Sequence, residues 1–312
     1  MTKINHVFGP VASRRLGISL GVDIIPYKTC TLDCIYCECG KTTCLTLERQ
    51  RFVNPHEVLD EISAVITGDT HIQYITFSGS GEPTLSIDIG TIIGGIKQIT
   101  RIPVAVLTNG TLLHLPEVRQ DLMAADIVLP SLDAATPAAF AHINRHHSGL
   151  DIHTIITGLK TFRNEFKGQI WLEVFLAKAV NDSEAELDSL YQVIKEIHPD
   201  RVQLNSLDRP PAYQNTQAVD INTLQTIVEK WYDLPVEIIK RVRKREEIAS
   251  FSLNLEHNIL NTIQRRPLTI DDLEALTGKR RTELFKYIDV LEKEKKVVPK
   301  IVGEHIFFTP AE

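Results

Sequence analysis

The chain has 312 residues, 43% hydrophobic and 24% charged, with a net charge of −6. That describes one large globular domain, or a large one with a small appendage, and excludes an overall basic coat for nucleic acid or anionic lipid. No apolar run approaches the about 18 residues of a membrane helix, and "MTKINHVFGPVASRRLGISLG" lacks a signal-peptide core, so a cytoplasmic, thiol-reducing setting is expected.

In chain order, "SLGVDII" (19–25) reads as a buried strand leading into a cysteine-rich loop. "NPHEVLDEISAVI" reads as a helix, with Asn54 as N-cap, Pro55 in the first turn and Glu57 three residues on. Then come a strand at 72–78, a helix at 87–99, a strand at 103–109, a short helix near 116–124 and "DIVLPSLD" (126–133). A helix over 151–165 leads to "QIWLEVFLAK" (169–178). Ser183 and Glu186 read as a capping box for the next helix, and "DRVQLNS" (200–206) is a sixth strand. Apolar strands alternating with helices predict a parallel α/β domain, either an open doubly wound sheet or a barrel. Each strand ends in polar residues: the cysteine loop, "SGSGEP", "TNG", "SLD", Lys178 and "QLNS". Parallel strands place those ends on one rim, where α/β enzymes carry their chemistry.

Beyond "KRVRKREE" (240–247) the pattern changes to three short helices and two strands turning at Gly303, with Thr269 and Asp272 in capping-box register. This is the outline of a winged helix-turn-helix, which docks nucleic acid or protein. The expected division is a domain over 1–245 and a second over 251–312.

"KTCTLDCIYCECGKTTC" (28–44) holds all five cysteines. Cys30, Cys34 and Cys37 are spaced C-x3-C-x2-C. A structural zinc site needs two separated pairs; here the second pair, Cys39 with Cys44, would crowd the first and leave Cys30 idle. Three thiolates on a short loop fit a [4Fe-4S] cluster with one iron open to an exogenous ligand.

That spacing, with Tyr36 before the last cysteine, after the first strand of a parallel α/β domain, resembles the radical S-adenosylmethionine (SAM) superfamily over about residues 15–240. The resemblance implies a six-stranded partial (β/α)6 TIM-like barrel with the winged-helix module appended, and two cofactors, a [4Fe-4S] cluster and SAM. Cys30, Cys34 and Cys37 would hold three irons, and the SAM amino and carboxylate groups the fourth. "SGSGEP" is similar to the glycine-glycine-glutamate motif that receives the methionine amino group, which assigns Gly79, Ser80, Gly81 and Glu82. Ser131 and Asp133 match the fourth-strand position facing ribose or carboxylate, the main chain beside Tyr36 would meet adenine, and Asn109 lies on the same rim. Glu173, a carboxylate inside an apolar strand, needs a partner and is expected to face SAM. Candidates for substrate contact are Lys178, Asn205, Arg209, the Arg14–Arg15 pair and "INRHHSGLD" (143–151) with Arg145, His146 and His147.

"GPVASRRLGISLGVD", "SGSGEPTLS" and "LTNGTLL" further resemble bacterial and archaeal Fe-S oxidoreductases related to the wyosine-forming tRNA enzymes. The chain departs from those enzymes in having no cysteine before Cys30. Partners implied are SAM, a reductant such as flavodoxin or ferredoxin, and a substrate that is either a tRNA nucleoside or a protein or peptide; no membrane partner is expected. A DNA-binding regulator sensing through its cluster is the non-enzyme alternative. The roles of Cys39 and Cys44 stay open.

Overall fold

A computed structural model describes residues 6–13, 15–67, 72–239, 255–277, 279, 281–303 and 305–311. The main sheet has eight strands. In chain order the elements begin with β1 (Val7–Ser13), β2 (Gly17–Val22), the two-residue strands β3 (Thr29–Cys30) and β4 (Cys44–Leu45), α1 (Pro55–Ile66) and β5 (Tyr74–Phe77). They continue with α2 (Ile89–Ile99), β6 (Val104–Thr108), α3 (Pro116–Leu122), β7 (Ile127–Pro130), α4 (Pro137–Ile143), α5 (Ile152–Glu165) and β8 (Gln169–Leu176). After these follow α6 (Glu184–Ile197), β9 (Arg201–Ser206), α7 (Ile221–Lys230) and β10 (Val236–Ile238). The strand order is β1-β2-β5-β6-β7-β8-β9-β10, with every neighbour parallel except β1, which runs antiparallel to β2.

All six expected strands are present. The edge strands β1 and β10 are additions, and neither is a clean apolar run: β1 carries Gly9 and Pro10, and all three residues of β10 are only half-buried. Chain order follows spatial order from β2 to β10, so helices pack on the sheet and every strand C-terminus opens onto one rim. The core between sheet and helices contains Leu20, Ile75, Phe77, Ile92, Val106, Leu172 and Phe162, all fully buried.

Helix starts follow local chemistry. Asn54 caps α1 by accepting from His56 N at 3.1 Å, and Asp151 caps α5 through Thr154 N at 2.9 Å. The expected box at Ser183 forms only in half. Ser183 accepts from Glu186 N at 3.4 Å, but Glu186 turns away and accepts from Ala135 N (2.6 Å) and Thr136 Oγ1 (2.6 Å) at the head of α4. Two orphan donors at a neighbouring helix start are thereby satisfied, which a return to its own cap would not achieve.

The C-terminal segment comprises α8 (Leu255–Arg265), β11 (Leu268–Thr269), α9 (Ile270–Thr277), α10 (Arg281–Lys293), β12 (Val297–Val302) and β13 (His305–Pro310). Its sheet runs β11-β13-β12, with the turn at Gly303 in the left-handed region (φ +59°). It packs around its own apolar cluster, including Ile259, Ile263, Leu273, Leu291 and Phe308. Thr269 and Asp272 form the reciprocal box, at 2.8 Å and 3.2 Å. The expected boundary between 245 and 251, and the basic "KRVRKREE" run, lie outside the described residues. No helix among those described is long and apolar enough to cross a membrane.

Candidate active site

The cysteine loop leaves β2 and is pinched at its base, where β3 pairs with β4 and Lys28 O accepts from both Thr43 N (3.1 Å) and Cys44 N (3.0 Å). Its outer side is fastened to the chain after β7: Asp33 N donates to Asn144 O (3.0 Å) and Ile35 N to Ile143 O (2.9 Å). Cys37 N turns back onto Cys34 O at 3.2 Å. The loop thus presents Cys30, Cys34 and Cys37 to one cleft of about 340 Å³ at the strand C-termini.

Each of these sulfurs has a side-chain nitrogen beside it. Asn109 Nδ2 lies 3.5 Å from Cys30 Sγ, Asn144 Nδ2 3.3 Å from Cys34 Sγ, and Lys28 Nζ 3.1 Å from Cys37 Sγ. Burial pushes Cys30 up to about 12 and raises Cys34 as well. Cys37 is lowered to about 6, by a hydrogen bond from Cys39 and then by the Lys28 charge. Among the described residues no group of three or more His, Cys, Asp or Glu could hold a single metal ion. The donor set, three sulfurs on one loop with a nitrogen donor against each, is the chemistry that fits an iron–sulfur cubane.

"SGSGEP" runs along the cleft after β5. Gly79 has φ +151°, and a Cβ there would lie 2.3 Å from the Asp23 carboxyl carbon; at Gly81 it would lie 2.1 Å from Thr29 O. Both glycines are therefore dictated by the close approach of the cysteine loop. Ser80 faces the other way, donating to Asp23 Oδ2 from N (3.1 Å) and Oγ (2.7 Å). Glu82 lines the cleft, but its carboxylate is already engaged by Thr84 Oγ1 (2.6 Å), Thr108 Oγ1 (2.6 Å) and Asn109 N (2.7 Å). Burial raises its pKa against those bonds.

Of the other expected positions, Tyr36, Asn109, Ser131, Glu173 and Asn205 all line the cleft. Glu173 has the partner its strand position demands: Arg15, from the turn between β1 and β2, forms an ion pair with it across the cleft, and Asn205 Nδ2 donates to it at 2.9 Å. Asp133 is off the cleft wall. It accepts from Tyr36 OH (2.5 Å), Asn144 Nδ2 (2.8 Å) and Phe175 N (2.9 Å), so it holds the Tyr36 ring, which stacks on Phe175 at 3.7 Å. Burial raises its pKa to about 6.

Lys178 is exposed beyond β8 and is absent from the cleft wall. Arg209 is buried away from the cleft, where it donates to Pro267 O and faces Glu38 (3.4 Å) and Asp272 (3.5 Å). Its role in the structure is to join the cysteine loop to the C-terminal segment. Arg145 pairs with Asp33 (3.2 Å) and lies over the Tyr213 ring, while His146 stacks on Phe140; both brace the loop from outside. Of the N-terminal arginines, Arg14 lies outside the described residues.

Sequence reading misses four contributors: Lys28 and Asn144 against the sulfurs, and Arg265 and Arg266, which enter the cleft wall from the end of α8. Asn144 sits within a stretch singled out for its neighbours, and Lys28 two residues before Cys30 could have been noticed as a cation beside thiolates. Nothing local signals the other two.

A parallel sheet whose strand ends converge on a three-cysteine loop defines an enzyme built to seat an iron–sulfur cluster beside a second ligand. The family model of the radical SAM superfamily matches residues 24–190, more than half of the chain. The chain is 34% identical over 307 residues to a UPF0026 protein of Helicobacter pylori, covering 97% of this chain and 96% of that one. It is 37% identical over 303 residues to the GTPase Obg of Brachyspira hyodysenteriae, covering 96% of this chain but 44% of that protein. A radical SAM methyltransferase from Sphaerobacter thermophilus has a similar fold, with TM-score 0.54, 17% identity, and coverage of 70% of this chain and 65% of that one. The chain belongs to the radical SAM superfamily and, with its Helicobacter relative, to the UPF0026 proteins. It is a SAM-dependent enzyme with a [4Fe-4S] cluster, and the three-sulfur donor set fits that group.

Proposed function

We propose that this enzyme abstracts a hydrogen atom from a nucleoside of tRNA. The observation that carries the reading is a cleft in which three loop cysteines face arginines from the C-terminal segment, so that whatever this segment binds is delivered to the sulfurs. When bound, a [4Fe-4S] cluster with SAM would supply, given one electron from flavodoxin or ferredoxin, the hydrogen-abstracting chemistry, with methionine as the other product. The chain's own residues hold and shield. Cys30, Cys34 and Cys37 would hold three irons of the cluster. The main chain from Gly79 to Glu82 takes the methionine amino group, with the Glu82 carboxylate behind it. Ser131 and Glu173 face the ribose or carboxylate, and Tyr36, fixed by Asp133 and Phe175, presents its main chain to adenine. Asn205 orients Glu173 from the next strand.

The domains are read as a partial (β/α)6 barrel over 1–245 and a winged helix over 251–312. The order helix, strand, helix, helix and hairpin in the C-terminal segment supports the second assignment. The chain's net charge of −6 makes this module, rather than a general basic surface, the feature that would select RNA.

The test is anaerobic reconstitution with iron and sulfide, then dithionite and SAM, with 5'-deoxyadenosine read by mass and Cys34→Ala as control. Deoxyadenosine from the parent enzyme alone, rising with added tRNA and carrying deuterium from labelled tRNA, is the expected result. Stimulation by peptide and not by tRNA would overturn the substrate assignment, and no deoxyadenosine from enzyme with a full cluster and bound SAM would overturn the reaction.

A further inference from the structure

A second cavity, of about 400 Å³, adjoins the cleft on its outer side. Arg265 lines both cavities, and its ion pair with Asp23 (3.3 Å) stands between them. Asp23 is fixed from behind by Ser80 N and Oγ, so this partition is anchored on the glycine-rich loop. We infer that the outer chamber is a second binding site, which takes an unstacked nucleobase of the RNA substrate; this rests on the tRNA reading above.

The lining chemistry selects that class. Tyr27, 56% exposed, and Phe52 offer flat apolar faces on the barrel side. On the opposite side α8 presents His257, Asn261 and Gln264, spaced four and then three residues apart and so on one helical face. The side-chain amides of Asn261 and Gln264 have no hydrogen-bond partner among the described residues, and each offers a donor beside an acceptor, the pattern of a base edge. Stacking on aromatic rings with edge recognition by amides is how single-stranded RNA bases are held. Among the described residues the chamber's one carboxylate is Asp23, and it is engaged by Ser80 and Arg265, so none of them offers a free acid to receive a peptide amine or to repel a phosphate. At this volume a whole nucleotide fits.

The experiment uses reconstituted holoenzyme with SAM saturating, so that its adenosine site is filled. Equilibrium dialysis measures binding of AMP, GMP, CMP and UMP, with N-acetyl-tyrosine amide as the peptide-like probe. At least one nucleotide should bind saturably, and the double variant Asn261→Ala/Gln264→Ala should weaken it about tenfold, the scale of a lost bidentate base contact. Tyr232→Ser, at an 85% exposed position outside both cavities, should leave binding unchanged. The inference is overturned if no nucleotide binds, if the double variant binds as well as the parent, or if only the tyrosine amide competes for the chamber. Deoxyadenosine formation by the same preparation separates the two claims. Enzyme that cleaves SAM but binds no nucleotide sinks the chamber alone; enzyme that binds nucleotides but cleaves no SAM sinks the reaction.

Discussion

Replacing Arg209 with methionine should undock the C-terminal segment without melting either core. The Arg209 side chain is 4% exposed, and its guanidinium bonds Pro267 O and lies 3.5 Å from Asp272 and 3.4 Å from Glu38. Removing one partner of a buried pair costs roughly 3–5 kcal/mol when the other is left bare. Asp272 is not left bare: it keeps two 2.8 Å bonds from Thr269, and methionine keeps the apolar stem. The loss should therefore be about 2 kcal/mol, or roughly thirty-fold in the docking equilibrium. It falls on docking because the two segments have separate apolar clusters. Hydrogen exchange followed by mass spectrometry should show lost protection in α8 and α9 and at Cys37–Gly40, whose Glu38 and Cys39 contact Arg209 and the Arg265 carbonyl. Strands β6 and β8 should not change. Unchanged exchange at both places, or a uniform loss across the barrel, would refute the reasoning.

The same latch has a pH signature. Burial pushes Asp272 up, but the Arg209 charge and the Thr269 bonds outweigh it, and the carboxyl titrates below its ordinary value. The Thr269 bonds lie within the C-terminal segment and persist on undocking, so the Arg209 charge is the part linked to docking: it contributes docking stability above the undocked pKa, and that stability is lost as pH falls through the lower docked value. Acidification below about pH 4 should thus loosen α8 and α9 in the parent enzyme, and that dependence should flatten in Arg209→Met.

Three further outcomes can be checked on the same preparations. Gly81→Ala should abolish cluster retention, read as iron per chain, because the new Cβ would lie 2.1 Å from Thr29 O and only backbone movement of the cysteine loop can relieve it; full iron content would sink this. Lys28→Met should move the cluster's midpoint potential more negative in a redox titration followed by EPR, since a cation and its N–H leave the Cys37 sulfur; an unchanged or more positive potential would count against it. Asn144→Ala should lower thermal stability by about 1–3 kcal/mol, because Asp133 loses a buried 2.8 Å donor and Cys34 its neighbour; an unshifted melting curve would show Asp133 to be satisfied by other means.

Much of this site is legible because it is built from local rules. Buried parallel strands announce themselves as apolar runs, so all six inner strands could be read, and their polar C-terminal ends placed the rim. The cysteine spacing and the two glycines at 79 and 81 are likewise local. The additions are where local rules stop. Edge strand β1, broken by a Gly-Pro pair, and the three-residue β10 carry no such signal. Asp133 and Ser131 share one strand end, yet Ser131 lines the cleft while Asp133 lies off it and holds the Tyr36 hydroxyl, which spacing along the chain does not encode. Lys178 fails for the related reason that β8 ends at Leu176: Ala177 stays buried and the chain turns Lys178 outward.

The arginines make the deeper case. Overall charge of −6 directs attention away from basic residues, yet Arg15, Arg265 and Arg266 line the cleft and Arg209 fastens the loop beside it. Arg15 reaches Glu173 across 158 residues of sequence and pulls the first and fifth expected strands together over the cavity. Arg209 ties Glu38, next to Cys37, to Asp272, and Arg265 ties α8 to Asp23 beneath the glycine-rich loop. Each is a cation drawn into a seam where an acid is already fixed, and a guanidinium suits this because its planar fork can serve two partners at once. A change at α8 is therefore felt at both loops that flank the sulfurs.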